Sequence, residues 1–445
     1  MRPKNVLEKI EEKYDVASIT FDNGRAIWPY LRQHVYFAII NKTIGYSNKL
    51  RTRNKKQLLK NFFYGAIHWF KLKRYDYLFL GNADKRIHLK EKRFDIYFDA
   101  WADKIGQDKS LFIEWAMHKH VPKREVYSKN VTSDLPLKLV SGIIKKLVKL
   151  KIHNAQILDN IYKEYGVQNC SRQVLKEKWA EYRCYRWLLK RTKPKAVFVL
   201  SGFTKVSIVA AAKDLGIPVV EAQHGYIGDS HPFYITLKQF DECYPDTLLS
   251  FGQFEKFNAN QSLIFRPEQI IPVGSLQLEL IKDAPINPSL NQRITPFKLV
   301  FCVTLQAIAE TRILDWISQE AKDHPDWLFV LRPKDNTLEY SNYTKQKNVV
   351  RWDEYSIYEI LKISHANITI FSTTAIEGQY LGAKPILINM DQMAVKYFDA
   401  PQIGGILLEE GDRLNEEDVR MKALVEAQFF CDDYFKNVSK SALCF

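Results

Sequence analysis

No stretch of about 18 apolar residues occurs in this 445-residue sequence, so nothing in it reads as a membrane-spanning helix. The first residues, Met1 to Lys13, lack the apolar core of a secretory leader, and the expectation is an unsecreted, cytoplasmic protein. Cysteine is sparse. Cys170, Cys184, Cys243, Cys302, Cys431 and Cys444 are scattered and form no C-x-x-C pair, which fits reduced thiols and argues against structural zinc. Glycine and proline, 18 and 17 residues, are too few for a collagenous or low-complexity chain. Several motifs are missing as well. There is no G-x-x-x-x-G-K-[ST] phosphate loop, no G-x-G-x-x-G after a strand and no H-E-x-x-H metal helix. No two aspartates stand at D-x-D spacing, so the carboxylate clamp for a metal-bound nucleotide is lacking, and no metal or cofactor is expected.

What is present is a globular composition, 46% hydrophobic and 26% charged. Its length suits about three domains, or two large ones. The net charge of +14 is unevenly placed. Residues 1–200 hold 42 Lys and Arg against 19 Asp and Glu, a net of +23, so the remainder carries −9. A polycationic half seeks phosphate, whether in nucleic acid, anionic lipid or an anionic glycan. Solubility charge without a dedicated partner is the plainer alternative. Residues 137–151 are basic and amphipathic, suited either to a membrane surface or to an ordinary surface helix.

Alternation of short apolar runs with helical segments predicts a parallel α/β fold. Tyr75–Leu80 and Arg93–Asp99 read as strands. Lys195–Leu200, a small-residue helix over Val206–Leu215 and Pro218–Val220 make a strand–helix–strand unit. Further strands are expected at Ile270–Val273, Lys298–Thr304, Trp327–Leu331, Ala366–Phe371 and Lys384–Ile388. Two α/β domains across a cleft are the simplest architecture. The first covers 1–244 and the second 245–425, with 426–445 as a final segment.

In parallel sheets, ligands bind beyond the carboxyl ends of the strands. Three segments stand there. Glu221-Ala222-Gln223-His224-Gly225-Tyr226 groups a carboxylate, an amide, an imidazole and a glycine, with Asp229 just after and Ser201 at the neighbouring strand end. Ser372-Thr373-Thr374-Ala375-Ile376-Glu377-Gly378 offers hydroxyls and amides at a helix entrance, equally readable as an ordinary cap. Arg332-Pro333-Lys334-Asp335 sets two cations beside a rigid residue.

The Glu-Ala-Gln-His-Gly run resembles the E-x-Q-H-G segment of bacterial capsule and lipopolysaccharide glycosyltransferases, including Kdo transferases, which have the two-domain GT-B fold. Val273-Gly274-Ser275, Arg332-Pro333-Lys334 and Ser372 to Gly378 look like further segments of that family, though many members have His-Pro where Arg332-Pro333 stands. The resemblance implies two Rossmann-like domains and a metal-independent transfer of sugar from a nucleotide-activated donor to a lipid-linked or growing surface polysaccharide. It further implies the peripheral inner face of the cell membrane as the place of work. The second domain would hold the nucleotide through Ser372, Thr373, Thr374, Glu377, Gly378, Gly274, Arg332 and Lys334. The first, residues 1–244, would hold the acceptor and supply Ser201, Gln223 and Gly225, with Glu221, His224, Asp229 and Asp99 as candidates for catalysis, and 426–445 would be a helix crossing back to it. A teichoic-acid-type polyol-phosphate transferase using a CDP-activated donor is the related alternative. A non-catalytic scaffold binding membrane or nucleic acid is the distant one, and the aromatic residues form no RNA-binding motif.

Overall fold

The structure, a computed structural model, describes residues 4–44, 55–228, 231–257, 263–334, 339–421 and 428–443. Asp229 and Asp335 therefore lie outside the described residues. Two all-parallel sheets organise the chain. The first contains β1 (Tyr77–Asn82), β2 (Ser110–Trp115), β3 (Val131–Ser133), β4 (Ala196–Leu200), β5 (Val219–Ala222), β6 (Thr247–Ser250) and β7 (Ile270–Pro272). Their spatial order is β3-β2-β1-β4-β5-β6-β7. The second contains β8 (Leu299–Leu305), β9 (Trp327–Pro333), β10 (Val349–Val350), β11 (Ala366–Thr369), β12 (Lys384–Ile388) and β13 (Ile406–Leu408), in the order β10-β9-β8-β11-β12-β13. Both orders reverse direction beside their first strand, the doubly wound pattern that opens a crevice at the switch point. The expected pair of Rossmann-like domains is the fold the chain adopts.

Strands of a parallel sheet are covered on both faces, and these are largely apolar. Phe79 of β1 is in register with Phe112 and Phe198, with ring centroids 4.8 and 4.5 Å away. In the second sheet Phe301 stacks on Phe329 at 4.9 Å. Two small antiparallel pairs, Thr20–Phe21 with Ile152–His153 and Arg86–Leu89 with Lys92–Asp95, lie outside the main sheets. Among the described residues no helix is long and apolar enough to cross a membrane.

Two expectations need correction. Leu248 pairs with Glu221 on one side and Ile270 on the other, so the first sheet continues through Pro272, beyond the boundary expected at residue 244. Short apolar strands carry no label saying which sheet they will join. The strand expected over Arg93–Asp99 stops at Asp95, because the Asp95 carboxylate accepts the amides of Tyr97 (2.9 Å) and Phe98 (3.0 Å) and turns the chain. The helix Asp99–Ile105 follows at once.

The chain then returns. Gln428–Cys431 runs along Phe251–Phe254, with Cys431 N–H on the Phe251 carbonyl at 2.8 Å and Phe254 N–H on the Gln428 carbonyl at 3.1 Å. The helix Tyr434–Lys440 packs on the first domain, where the Tyr434 hydroxyl donates to the Ile96 and Tyr97 carbonyls.

Candidate active site

The loop after β5 meets the loop after β11, with Tyr226 N–H 3.5 Å from Thr373 Oγ1, so the carboxyl ends of these two strands face each other. At the switch point of the first sheet Ser201 is left-handed (φ 57°), an unusual conformation for a residue with a side chain. Gly202 follows because nothing larger fits: a Cβ there would lie 2.4 Å from Glu221 Oε2 and 2.7 Å from Pro245.

Glu221 explains that crowding. Its Oε1 accepts the Gly202 amide at 2.8 Å and the Tyr234 hydroxyl at 2.5 Å. The side chain is sealed, Oε2 has no partner, and burial pushes the carboxyl up to about 7. A carboxyl so enclosed clamps the Ser201–Gly202 turn and presents no oxygen to the cleft. Gln223 does a similar job. Its Oε1 accepts Phe251 N–H at 2.6 Å, and its Nε2 donates to the Gly225 carbonyl (2.9 Å) and to Glu255 Oε1 (2.6 Å). Glu255 is itself buried and pushed up to about 8. These two side chains fix the path of His224, Gly225 and Tyr226.

His224 is half-buried at the end of that path. Burial, and then the charge of Lys85, lower its imidazole to about 4, so it is neutral at pH 7. Its Nδ1 is buried without a partner. His231, lowered to about 3 chiefly by burial, stands beside it, and both rings flank Phe203 at 6.0 Å. An uncharged imidazole with an open ring nitrogen is free to accept a proton, but the burial and the Lys85 charge that keep it neutral also weaken it as a base until an anion stands beside it.

The second wall is the helix entrance. Thr373 Oγ1 lies 3.5 Å from Tyr226 N–H and 3.5 Å from where a Gly225 Cβ would stand. The two segments singled out in the sequence thus touch across the domain seam. Tyr226 stacks on Phe398 at 5.0 Å, and Tyr36 meets Tyr397 through their hydroxyls at 3.0 Å, which seals the seam on its flanks. Ser372 Oγ accepts Thr374 N–H at 3.3 Å. Thr374 turns inward instead, its hydroxyl 3.0 Å from Thr304 Oγ1 and accepting from Asn367 Nδ2 at 3.2 Å. Gly378 is a packing glycine, since a Cβ would press on Leu361 at 3.1 Å. Glu377 is raised to about 7 by burial, against the opposing pull of Lys85 and a hydrogen bond from Tyr358.

Lys85 is the residue that sequence reasoning missed. It is exposed in the turn after β1, where Asn82 accepts Asp84 N–H at 2.9 Å and Asp84 accepts Met117 N–H at 3.0 Å. Its charge acts on His224 in one domain and on Glu377 in the other. The available signal was position alone: the first cation beyond the strand at the switch point.

Other sequence candidates sit elsewhere. Asp99 is sealed, and its carboxylate accepts from Ser128 (2.5 Å), Asp95 N–H (2.6 Å) and Arg86 (3.1 Å). Arg86 also holds Glu114, so this group is a buried ion network beneath β1 rather than a base facing substrate. Gly274 (φ 95°) makes room for the returning chain: a Cβ there would lie 2.5 Å from the Cys431 carbonyl oxygen. Arg332 donates to the Trp352 carbonyl at 2.6 Å, and Lys334 is exposed at the end of β9. Among the described residues no group of three or more His, Cys, Asp and Glu is arranged to hold a metal ion.

No family model and no curated protein matches the chain. Solved structures with a similar course of the chain include the calicheamicin glycosyltransferase CalG4, at TM-score 0.44 and 14% identity, covering 82% of this chain and 92% of that one. The apo lipopolysaccharide outer core galactosyltransferase WaaB aligns at 0.44 and 13%, covering 81% and 97%. The UDP-GlcNAc 2-epimerase of Methanocaldococcus jannaschii aligns at 0.45 and 11%, covering 82% and 97%. The likeness concerns backbone path and carries no function with it.

Proposed function

We propose that the chain is a glycosyltransferase that moves a sugar from a nucleotide-activated donor to a hydroxyl acceptor at the seam between its two domains. The observation that carries the reading is the contact of Tyr226 N–H with Thr373 Oγ1, which brings the His224 loop of one doubly wound sheet against the helix entrance of the other, with the charge of Lys85 acting on both His224 and Glu377. Each group has a distinct task. Lys85 offsets the charge that gathers on the departing diphosphate. Ser372 and Thr373 give hydroxyls to phosphate oxygens, and Glu377, raised toward neutral pH, accepts from or donates to a ribose or sugar hydroxyl. His224, neutral and with Nδ1 unpartnered, takes the proton of the attacking hydroxyl. An anionic donor beside the ring strengthens it as a base by stabilising the imidazolium. Because Tyr226 N–H and Thr373 Oγ1 come together across the seam, the donor enters with the domains parted and closure excludes water.

The resemblance of Glu221–Gly225 to the Q-H-G transferases supports a lipid-linked or growing bacterial surface polysaccharide as the acceptor. The test has two stages. CMP, CDP, UDP and GDP are first offered separately in a thermal-shift assay, and one is expected to raise the midpoint. Turnover of the matching sugar nucleotides is then compared between the wild type and His224→Ala. Loss of a general base lowers the rate by about 10²- to 10⁴-fold. Wild-type turnover in the variant removes His224 from the mechanism.

A further inference from the structure

The helix Leu135–Leu147 is apolar on two sides, and only one of them is packed. Leu137 and Ser141 are buried and Ile144 joins the core. Leu139, Ile143 and Leu147, four residues apart and so on one stripe, face outward, the last two 64% and 75% exposed. This stripe is not isolated. The helix Lys55–Phe63 lies against the same helix and exposes Leu59 and Phe63; the next short helix exposes Phe70 at 84%. On the other side runs the helix Ser171–Thr192, tied to the first by Lys145–Glu177 at 2.7 Å. At its end an open groove of about 550 Å³ is lined by Lys73, Trp187, Lys190, Arg191, Thr192 and Lys193.

Cations predominate on this face, although four of them are paired with carboxylates at its edge: Lys138 with Asp134, Lys145 with Glu177, Lys151 with Asp22 and Lys195 with Asp76. Residues 55–74, 135–151 and 182–195 hold six, five and six Lys and Arg, seventeen in all, and no Asp or Glu. A soluble surface normally mixes signs and scatters its apolar side chains. Here the exposed leucine, isoleucine and phenylalanine side chains are interleaved with cations on long stems, and Trp187 is exposed beside the basic groove. Aliphatic side chains insert among acyl chains but have no use for stacked bases, so the pattern favours lipid over nucleic acid.

We infer that this face docks the protein on an anionic lipid bilayer, with the Leu139–Ile143–Leu147 stripe and Phe63 and Phe70 entering the interface and the cations lying among the headgroups. The inference goes beyond the transfer chemistry and stands without it, because its readout uses no donor. Purified full-length protein is sedimented with vesicles of phosphatidylcholine alone and of phosphatidylcholine with phosphatidylglycerol. Binding is expected only to the anionic vesicles and should fall as salt is raised. Each cation near such a surface strengthens binding about fivefold. The triple change Lys146→Gln, Lys149→Gln, Lys190→Gln, at exposed lysines of this face, should therefore weaken it by about a hundredfold. Ile143→Asp with Leu147→Asp should weaken it at least tenfold while leaving the melting temperature unchanged, since both side chains are exposed. Should the aspartate pair destabilise the fold, Ile143→Ser alone serves. Equal binding to neutral vesicles, or full binding by both sets of variants, overturns the proposal. So does a single-stranded oligonucleotide that binds tightly and equally well to wild type and the Ile143→Asp, Leu147→Asp variant.

Discussion

Replacing Glu255 with glutamine should stabilise the first domain, and by an amount that depends on pH in a calculable way. Glu255 is buried beside Gln223, and burial raises its carboxyl from the ordinary 4.5 to about 8. Between those values the folded chain keeps a proton that the unfolded chain releases. The unfolded state then binds fewer protons, so stability falls as pH rises through this window. The slope is about 1.4 kcal/mol per pH unit for one group. Integrated from about pH 4.5 to 8, the burden approaches 4 kcal/mol, and it levels off above pH 8 once the folded state ionises as well. Glutamine has no proton to lose, and its Oε1 still accepts from Gln223, which now donates at 2.6 Å. Urea unfolding of wild type and Glu255→Gln, at half-unit steps from pH 4.5 to 9, gives the difference directly. The curves should coincide near pH 4.5, part steadily, and run parallel above pH 8. A difference independent of pH would refute the assignment of Glu255 as a buried neutral acid. A variant that is less stable at every pH would show that the clasp needs a carboxyl.

Lys85→Met should raise the titration midpoints of both His224 and Glu377, because Lys85 depresses each of them; histidine and carboxyl NMR titrations read this, and unchanged midpoints would place Lys85 away from the seam. If Lys85 faces the leaving group, the same variant should lose about 10²- to 10³-fold in kcat/KM, the worth of a unit charge about 4 Å away in a partly screened site. Gly274→Ala forces a left-handed residue into a Cβ clash with the Cys431 carbonyl, so urea unfolding should show a loss of about 2–4 kcal/mol. No loss would mean the returning segment is loosely held.

Much of this protein was legible from periodicity. The central strands announce themselves because a parallel strand is buried on both faces and so reads as a continuous apolar run, as at Ala196–Leu200 and Leu299–Leu305. The two segments that meet at the seam were legible because Gln223-His224-Gly225 and Ser372-Thr373-Thr374 interrupt such runs with polar groups at strand ends. Their individual duties were not. Glu221, Gln223, Thr374 and Asp99 look like reactive groups in one dimension, yet each is turned into the protein to satisfy an amide, a hydroxyl or a cation. Gly274 reads as a ligand turn but serves a segment more than 150 residues later in the chain, Cys431.

The sequence by itself determined the class of fold, the charge division between the halves and the places where polar chemistry follows a strand, since all three depend on residues adjacent in the chain. Tertiary structure alone decided which sheet takes Thr247–Ser250 and Ile270–Pro272, which side chains reach the seam and that the charge of Lys85 acts on both His224 and Glu377. The strand pairings join segments some tens of residues apart and the seam joins segments more than a hundred apart; in both, orientation is set by packing rather than by any local preference.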